Sequence, residues 1–214
     1  MSVKQHILIT GLPGVGKTTL IKGLSQTLSK SSNYYVQGFV TTEIRSPGAG
    51  RTGFKGIDVI SGREATLSST QIPHGSERAP PKVGKYFVDV PAFESVALPS
   101  LQISTVPSQH TQSSPVIIID EIGKMELFSR QFKTDVIRCF DPTSAPSGTA
   151  RPIVVATIPA PPDSTRRSIP YVEAIRSRPD VLICTVTRAN RNQLHDELLT
   201  TLDKLCNDLS LHNK

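Results

Sequence analysis

The sequence predicts an α/β three-layer sandwich with a mostly parallel central sheet and a small antiparallel β insertion. Three observations carry that expectation. Short, continuous runs of Val, Ile and Leu alternate with segments of helical periodicity, the pattern of strands buried on both faces beneath helices. Gly11-Leu12-Pro13-Gly14-Val15-Gly16-Lys17-Thr18 matches G-x-x-x-x-G-K-[ST] and stands between an apolar run and a helical pattern. A second apolar run, residues 116–119, ends in Asp120. At 214 residues the chain suits one domain over residues 1–214, with the antiparallel insertion at about 43–90 and Pro/Ser-rich loops at about 104–115 and 141–152.

The first strand is expected at residues 3–9 (V-K-Q-H-I-L-I). The helix after the glycine-rich turn is expected over 19–28, where Leu20, Ile21, Leu24 and Leu28 recur at helical spacing. A strand at 35–42 follows. Residues 51–60 and 83–90 read as strands separated by Gly-containing turns, which makes a small hairpin region. A short helix is expected at 93–101. The apolar strand 116–119 is followed by a helix from about 126 to 140. Residues 153–158 form another buried strand, 171–177 a helix, 181–186 a strand and 193–209 a final helix. In that last helix Leu194, Leu198, Leu202, Leu205 and Leu209 share one face. The stripe reads as core packing, because it lacks sustained coiled-coil regularity. Of the 17 prolines, 11 fall within 68–82, 104–115, 141–152 and 159–164, where little apolar side chain is available to offset ordering.

Charge and cysteine usage bound the partners. Lys and Arg number 24 against 18 Asp and Glu, a formal net charge of +6. That favours phosphate-bearing ligands, but no dense or aromatic-interleaved basic run supports nucleic acid. Cys139, Cys184 and Cys206 lie far apart without a C-x-x-C pair, so neither a disulfide framework nor a zinc site is expected, and Cys184 and Cys206 read as core residues. His74 and His110 lack metal-ligand spacing. No secretory pattern opens the chain, and no apolar run approaches the ~20 residues that cross a bilayer. The expectation is a soluble, cytoplasmic or nuclear monomer with no membrane partner.

The glycine-rich loop is a Walker A motif, and each part has a task in holding a nucleoside triphosphate. Backbone N–H groups of the turn converge on phosphate oxygens, and the following helix adds its positive N-terminal end. Lys17 reaches the β- and γ-phosphates, while the Thr18 hydroxyl ligates Mg²⁺. Val116-Ile117-Ile118-Ile119-Asp120-Glu121 is the partner Walker B motif. A buried parallel strand sets one carboxylate at its C-terminal edge beside the loop, so Asp120 is expected to hold Mg²⁺ through water opposite Thr18. Glu121 can orient and deprotonate a water attacking the γ-phosphorus; alternatively it caps the next helix or forms a surface ion pair. Thr157 either bonds that water or the γ-phosphate, or satisfies local backbone. Arg166, Arg167, Arg188 and Arg191 are the candidates for a further cation at the transition state. Asn190 and Asn192 follow the last strand, where a nucleobase can be contacted, although Asn190 is equally suited to cap a helix.

At these residues the sequence resembles the cancer-related nucleoside triphosphatases, also called the thermophilic-protein-type P-loop NTPases, over nearly its whole length. The resemblance rests on G-L-P-G-V-G-K-T-T-L at 11–20, G-F-V-T-T-E-I-R at 38–45, V-G-K-Y-F-V-D-V at 83–90, F-E-S-V-A-L-P at 93–99, I-D-E-I-G-K-M-E-L-F at 119–128 and N-R-N at 190–192. The D-E-I-G-K-M-E segment is far more specific than the phosphate loop. The resemblance implies a P-loop NTPase fold and a slow, Mg²⁺-dependent hydrolase of ATP, GTP, CTP and UTP that yields NDP and phosphate with loose base preference. Carried over by position, Gly11, Leu12, Pro13, Gly14, Val15, Gly16, Lys17, Thr18 and Thr19 bind phosphates. Ile117, Ile118, Ile119, Asp120, Glu121, Ile122, Gly123 and Lys124 lie against the nucleotide. Pro/Ser-rich insertions at 105–115 and 143–152 depart from the family's compact pattern and bear on loop-borne roles such as an arginine finger. Two other classes stay open. One is a nucleotide or small-molecule kinase using 43–90 as an acceptor lid, and the other is an NTP-gated interaction module.

Overall fold

Strands whose two faces are both apolar must be covered twice, and the chain meets that demand with one nine-stranded sheet between two helical layers. The computed structural model describes residues 4–73, 79–103, 113–141, 143 and 151–212. In chain order the elements are β1 (His6–Thr10), α1 (Lys17–Ser29), β2 (Tyr34–Ser46), β3 (Gly50–Asp58), β4 (Glu64–Ser69), β5 (Lys82–Val83), β6 (Tyr86–Val88) and α2 (Val90–Ser100). They continue with β7 (Ser114–Ile119), a 3₁₀ turn (Glu126–Phe128), α3 (Arg130–Phe140), β8 (Ile153–Thr157), α4 (Pro170–Arg176), β9 (Val181–Thr185) and α5 (Leu194–His212).

The strand order is β5-β6-β4-β3-β2-β7-β8-β1-β9. β2, β7, β8, β1 and β9 run parallel; β3, β4, β5 and β6 pair antiparallel beyond them. This corrects the expectation of a mostly parallel sheet with a small antiparallel insertion. The sheet is mixed, and the antiparallel strands extend the same sheet rather than forming a satellite. The continuity comes from β2, whose 13 residues pair with β7 in the first half and with β3 in the second. Its burial changes accordingly, from near-continuous to partly exposed, as one face gains solvent.

In the parallel part, alternate side chains of each strand enter opposite cores. Ile117 and Ile119 of β7 join Val154 and Ala156 of β8 against α2, α3 and α4. Val116 and Ile118 join Ile153 and Val155 against α1 and α5. The leucine stripe of α5 does pack inward: Leu194, Leu198, Leu202 and Leu205 are buried in that second core. Cys184 and Cys206 are only partly buried against it.

Local chemistry moves several boundaries from those expected. The 83–90 segment is not one strand, because a turn at Gly84 and Lys85 separates β5 from β6, and α2 begins at Val90 with Asp89 accepting from the Ala92 N–H at 3.0 Å. The single helix expected over 126–140 breaks where the Ser129 hydroxyl caps α3 by accepting from Phe132 N–H at 2.9 Å. β7 starts at Ser114, inside the segment read as loop. β4 went unforeseen because E-A-T-L-S-S has one buried large apolar residue, Leu67; it is a strand because β3 and β6 flank it. The remaining Pro/Ser-rich positions at 104–112, 142 and 144–150, with His74 and His110, lie outside the described residues.

His6 gives the fold a pH dependence. It is 1% exposed at the start of β1, its Nδ1 accepts the Val154 N–H at 3.1 Å, and its ring meets Phe140 edge-on. Burial pushes its pKa down from 6.5 to about 4, with Asp180 opposing and Arg178 assisting. The unfolded chain therefore binds a proton below about 6.5 that the fold refuses until about 4. Stability should be full above pH 6.5 and fall toward pH 4 by on the order of 3 kcal/mol from this group. Denaturant titrations at stepped pH would show it, and His6→Gln should flatten the decline. An equally steep decline in that variant would remove His6 as its source.

Candidate active site

Gly14 and Gly16 take left-handed backbone angles, φ 75° and 111°, which let the loop turn sharply into α1. The first intrahelical bond is Leu20 N–H to Gly16 O at 2.9 Å, so the N–H groups that precede it at the start of α1 stand outside the helix ladder. Lys17 Nζ lies across the loop, donating to the Gly11 carbonyl at 3.0 Å. Thr18, on the first turn of α1, donates from Oγ1 to Asp120 Oδ1 at 3.3 Å. Two segments a hundred residues apart thus meet at one oxygen pair.

Asp120 is 0% exposed and fixed by hydroxyls from the two strands that flank β7. Because β8 lies between β7 and β1, Thr157 Oγ1 donates to Asp120 Oδ1 at 2.7 Å. Because β2 flanks β7 on the other side, Thr41 donates to Oδ2 from Oγ1 at 2.8 Å and from its backbone N–H at 3.3 Å. The Thr157 hydroxyl is directed at the carboxylate rather than at local backbone. Thr41 was missed, since nothing in G-F-V-T-T-E-I-R reveals that β2 neighbours β7.

Glu121 is half-buried at the start of the next loop. Burial raises its pKa, Lys17 opposes that, and Asp120 adds to it. Neither a helix cap nor an ion pair engages it among the described residues. Ile117, Ile118, Ile119 and Ile122 are 1% exposed or less, so their side chains serve the core. Gly123 is buried and Lys124 exposed. Leu12, Pro13, Gly14 and Thr19 are exposed along the loop and helix start, while Gly11 and Val15 are buried beneath it. Lys22, one turn beyond Thr18, donates to Thr42 Oγ1 at 2.7 Å; burial lowers its pKa, and the facing Asp120 counters that.

The arginine candidates separate. Arg166 is tied within its own turn to Asp163 and to the Pro161 carbonyl. Arg167 and Arg188 are exposed. Arg191 comes to the phosphate loop, its Cδ 3.6 Å from where a Cβ on Gly16 would stand. With Gly16, Thr19, Leu20, Asn192 and His195 it lines a cavity of about 440 Å³ beside the start of α1. Asn190 caps: its Oδ1 accepts the Thr187 N–H at 2.8 Å, and its Nδ2 donates to the Thr185 carbonyl at 2.9 Å.

The parallel half of the sheet, the glycine-rich turn feeding a helix and the carboxylate at a strand end define an α/β protein of the P-loop class. A family model described as NTPase matches residues 6–199. The chain is 41% identical over 198 residues to a nucleoside-triphosphatase THEP1 of Thermotoga maritima, covering 92% of this chain and 95% of that protein. It is 41% identical over 196 residues to the human cancer-related nucleoside-triphosphatase, with the same coverage. The solution structure of a human cancer-related nucleoside triphosphatase superposes with a TM-score of 0.74 at 38% identity, covering 94% of this chain and 98% of that one. The chain belongs to this nucleoside-triphosphatase family, a family of hydrolases.

Proposed function

We propose that the protein hydrolyses ATP, GTP and other nucleoside triphosphates to NDP and phosphate, with Mg²⁺ and with little preference among bases. The observation that carries this reading is the Thr18–Asp120 contact at 3.3 Å, which joins the phosphate loop to the acidic strand end. A hydroxyl and a carboxylate there are hard oxygen donors suited to Mg²⁺, which characteristically takes one or two protein oxygens and completes its shell with phosphates and water. Thr18 and Asp120 would hold the ion, and when bound it neutralises charge on the β- and γ-phosphate oxygens.

The rest falls to the chain's own groups. The loop N–H groups and Lys17 hold the triphosphate. Glu121 orients a water and takes its proton as the oxygen bonds to the γ-phosphorus; the bond to the bridging oxygen breaks, and NDP leaves with its electron pair. Arg191 and Asn192, both exposed at the cavity beside α1, leave the base an open surface rather than a fitted slot, which supports low base selectivity.

Phosphate release from ATP, GTP, CTP and UTP, with and without EDTA and candidate acceptors, tests the reading. Release should need no acceptor, occur with all four nucleotides and fall on the order of 10²-fold or more in EDTA. Product formation that requires an acceptor would make the protein a kinase. Nucleotide-gated capture of a partner without turnover would make it an interaction module.

A further inference from the structure

Between β7 and α3 the chain folds back on itself, with Ile122 N–H bonded to the Thr157 carbonyl at 2.9 Å and Leu127 N–H to the Gly123 carbonyl at 3.1 Å. Two carboxyl groups close over the glycine in this loop. A Cβ on Gly123 would stand 3.0 Å from Glu121 Oε1 and 3.1 Å from Glu126 Oε2. A side chain at this position would press on both carboxyl ends, each of which would have to give by a few tenths of an ångström. Glu126 is 5% exposed and, among the described residues, has no Lys, Arg or His within ion-pair distance. Nothing described above uses it.

We propose that Glu126 is a positioning residue for hydrolysis, paired with Glu121 across Gly123 so that it fixes the direction of the Glu121 carboxylate. The proposal rests on Glu121 activating the water. Two carboxylates sharing a small enclosed space do not both ionise, and the more enclosed one keeps its proton. Glu126 is the enclosed member: burial first, then the charge of Glu121, push its pKa up to about 8. Glu121 is the more exposed member, half-buried at the start of the loop. A neutral carboxyl against a charged one is a hydrogen-bond donor facing an acceptor, and such a contact costs the base no charge while restricting its rotation.

The test compares three variants of the full-length protein. Glu126→Gln keeps a neutral donor and should hydrolyse NTP within about three-fold of the parent. Glu126→Met keeps the length but offers no donor, and should lose about 30-fold in kcat with KM within two-fold, the cost of a misdirected base. Gly123→Ala retains both carboxyls but drives a methyl between them and should show the same split between kcat and KM; it decides the matter should Glu126→Met lose its cooperative thermal transition. In a Glu121→Gln background neither change should lower kcat further. Parental kcat in Glu126→Met or in Gly123→Ala, with Glu121→Gln inactive, would overturn the pairing and leave Glu121 as the base. Normal turnover in Glu121→Gln itself would instead sink the assignment on which the pairing rests.

Discussion

Replacing Glu121 with Gln should lower kcat about 10³-fold while nucleotide affinity stays within about two-fold of the parent. The substitution is isosteric and leaves the neighbouring framework intact, because Asp120 is held by Thr18, Thr41 and Thr157 and not by Glu121. What it removes is basicity. Glu121 is suited to that task because burial raises its pKa, which strengthens it as a proton acceptor, while Lys17 opposes the rise and favours the charged form. Single-turnover phosphate release, with affinity measured separately using a non-hydrolysable analogue, separates chemistry from binding. Unaltered single-turnover release would assign water activation to another group.

Replacing Lys17 with Ala should damage both quantities, cutting kcat/KM about 10³-fold and weakening binding at least ten-fold. Its ammonium reaches across the loop to the Gly11 carbonyl at 3.0 Å, a position from which, on the proposed reading, it would serve phosphate oxygens in ground and transition states alike. It is also the cation that opposes the upward push on Glu121. Its loss therefore removes a phosphate ligand and shifts the base toward its protonated form. Calorimetry with an ATP analogue alongside steady-state kinetics would show both losses together. Undiminished affinity would mean that the loop's N–H groups suffice to hold the triphosphate.

How much of this was legible follows from how local each feature is. Lys17, Thr18 and the strand-borne Asp120 could be read because a short segment encodes loop, helix start and strand end. The buried strands β7 and β8 could be read because apolar side chains on both faces leave an unbroken run. Strand order is encoded nowhere locally, and with it went Thr41, whose role exists only because β2 lies beside β7. The same non-locality hid the true extent of the sheet: β2 continues past β7 and finds β3, while β4 owes its conformation to its neighbours more than to E-A-T-L-S-S. Ser129 concealed a helix start within what scans as one helix. Glu126 read as that helix's first residue, although the loop turns it inward toward Glu121.

The length of β2 has a mechanical consequence. One uninterrupted ribbon carries the antiparallel wing at its far end and, at Thr41, grips the buried aspartate through both hydroxyl and amide. The wing and the buried aspartate are therefore not independent parts joined by a tether. A displacement of the wing and a change at that acid bear on the same strand.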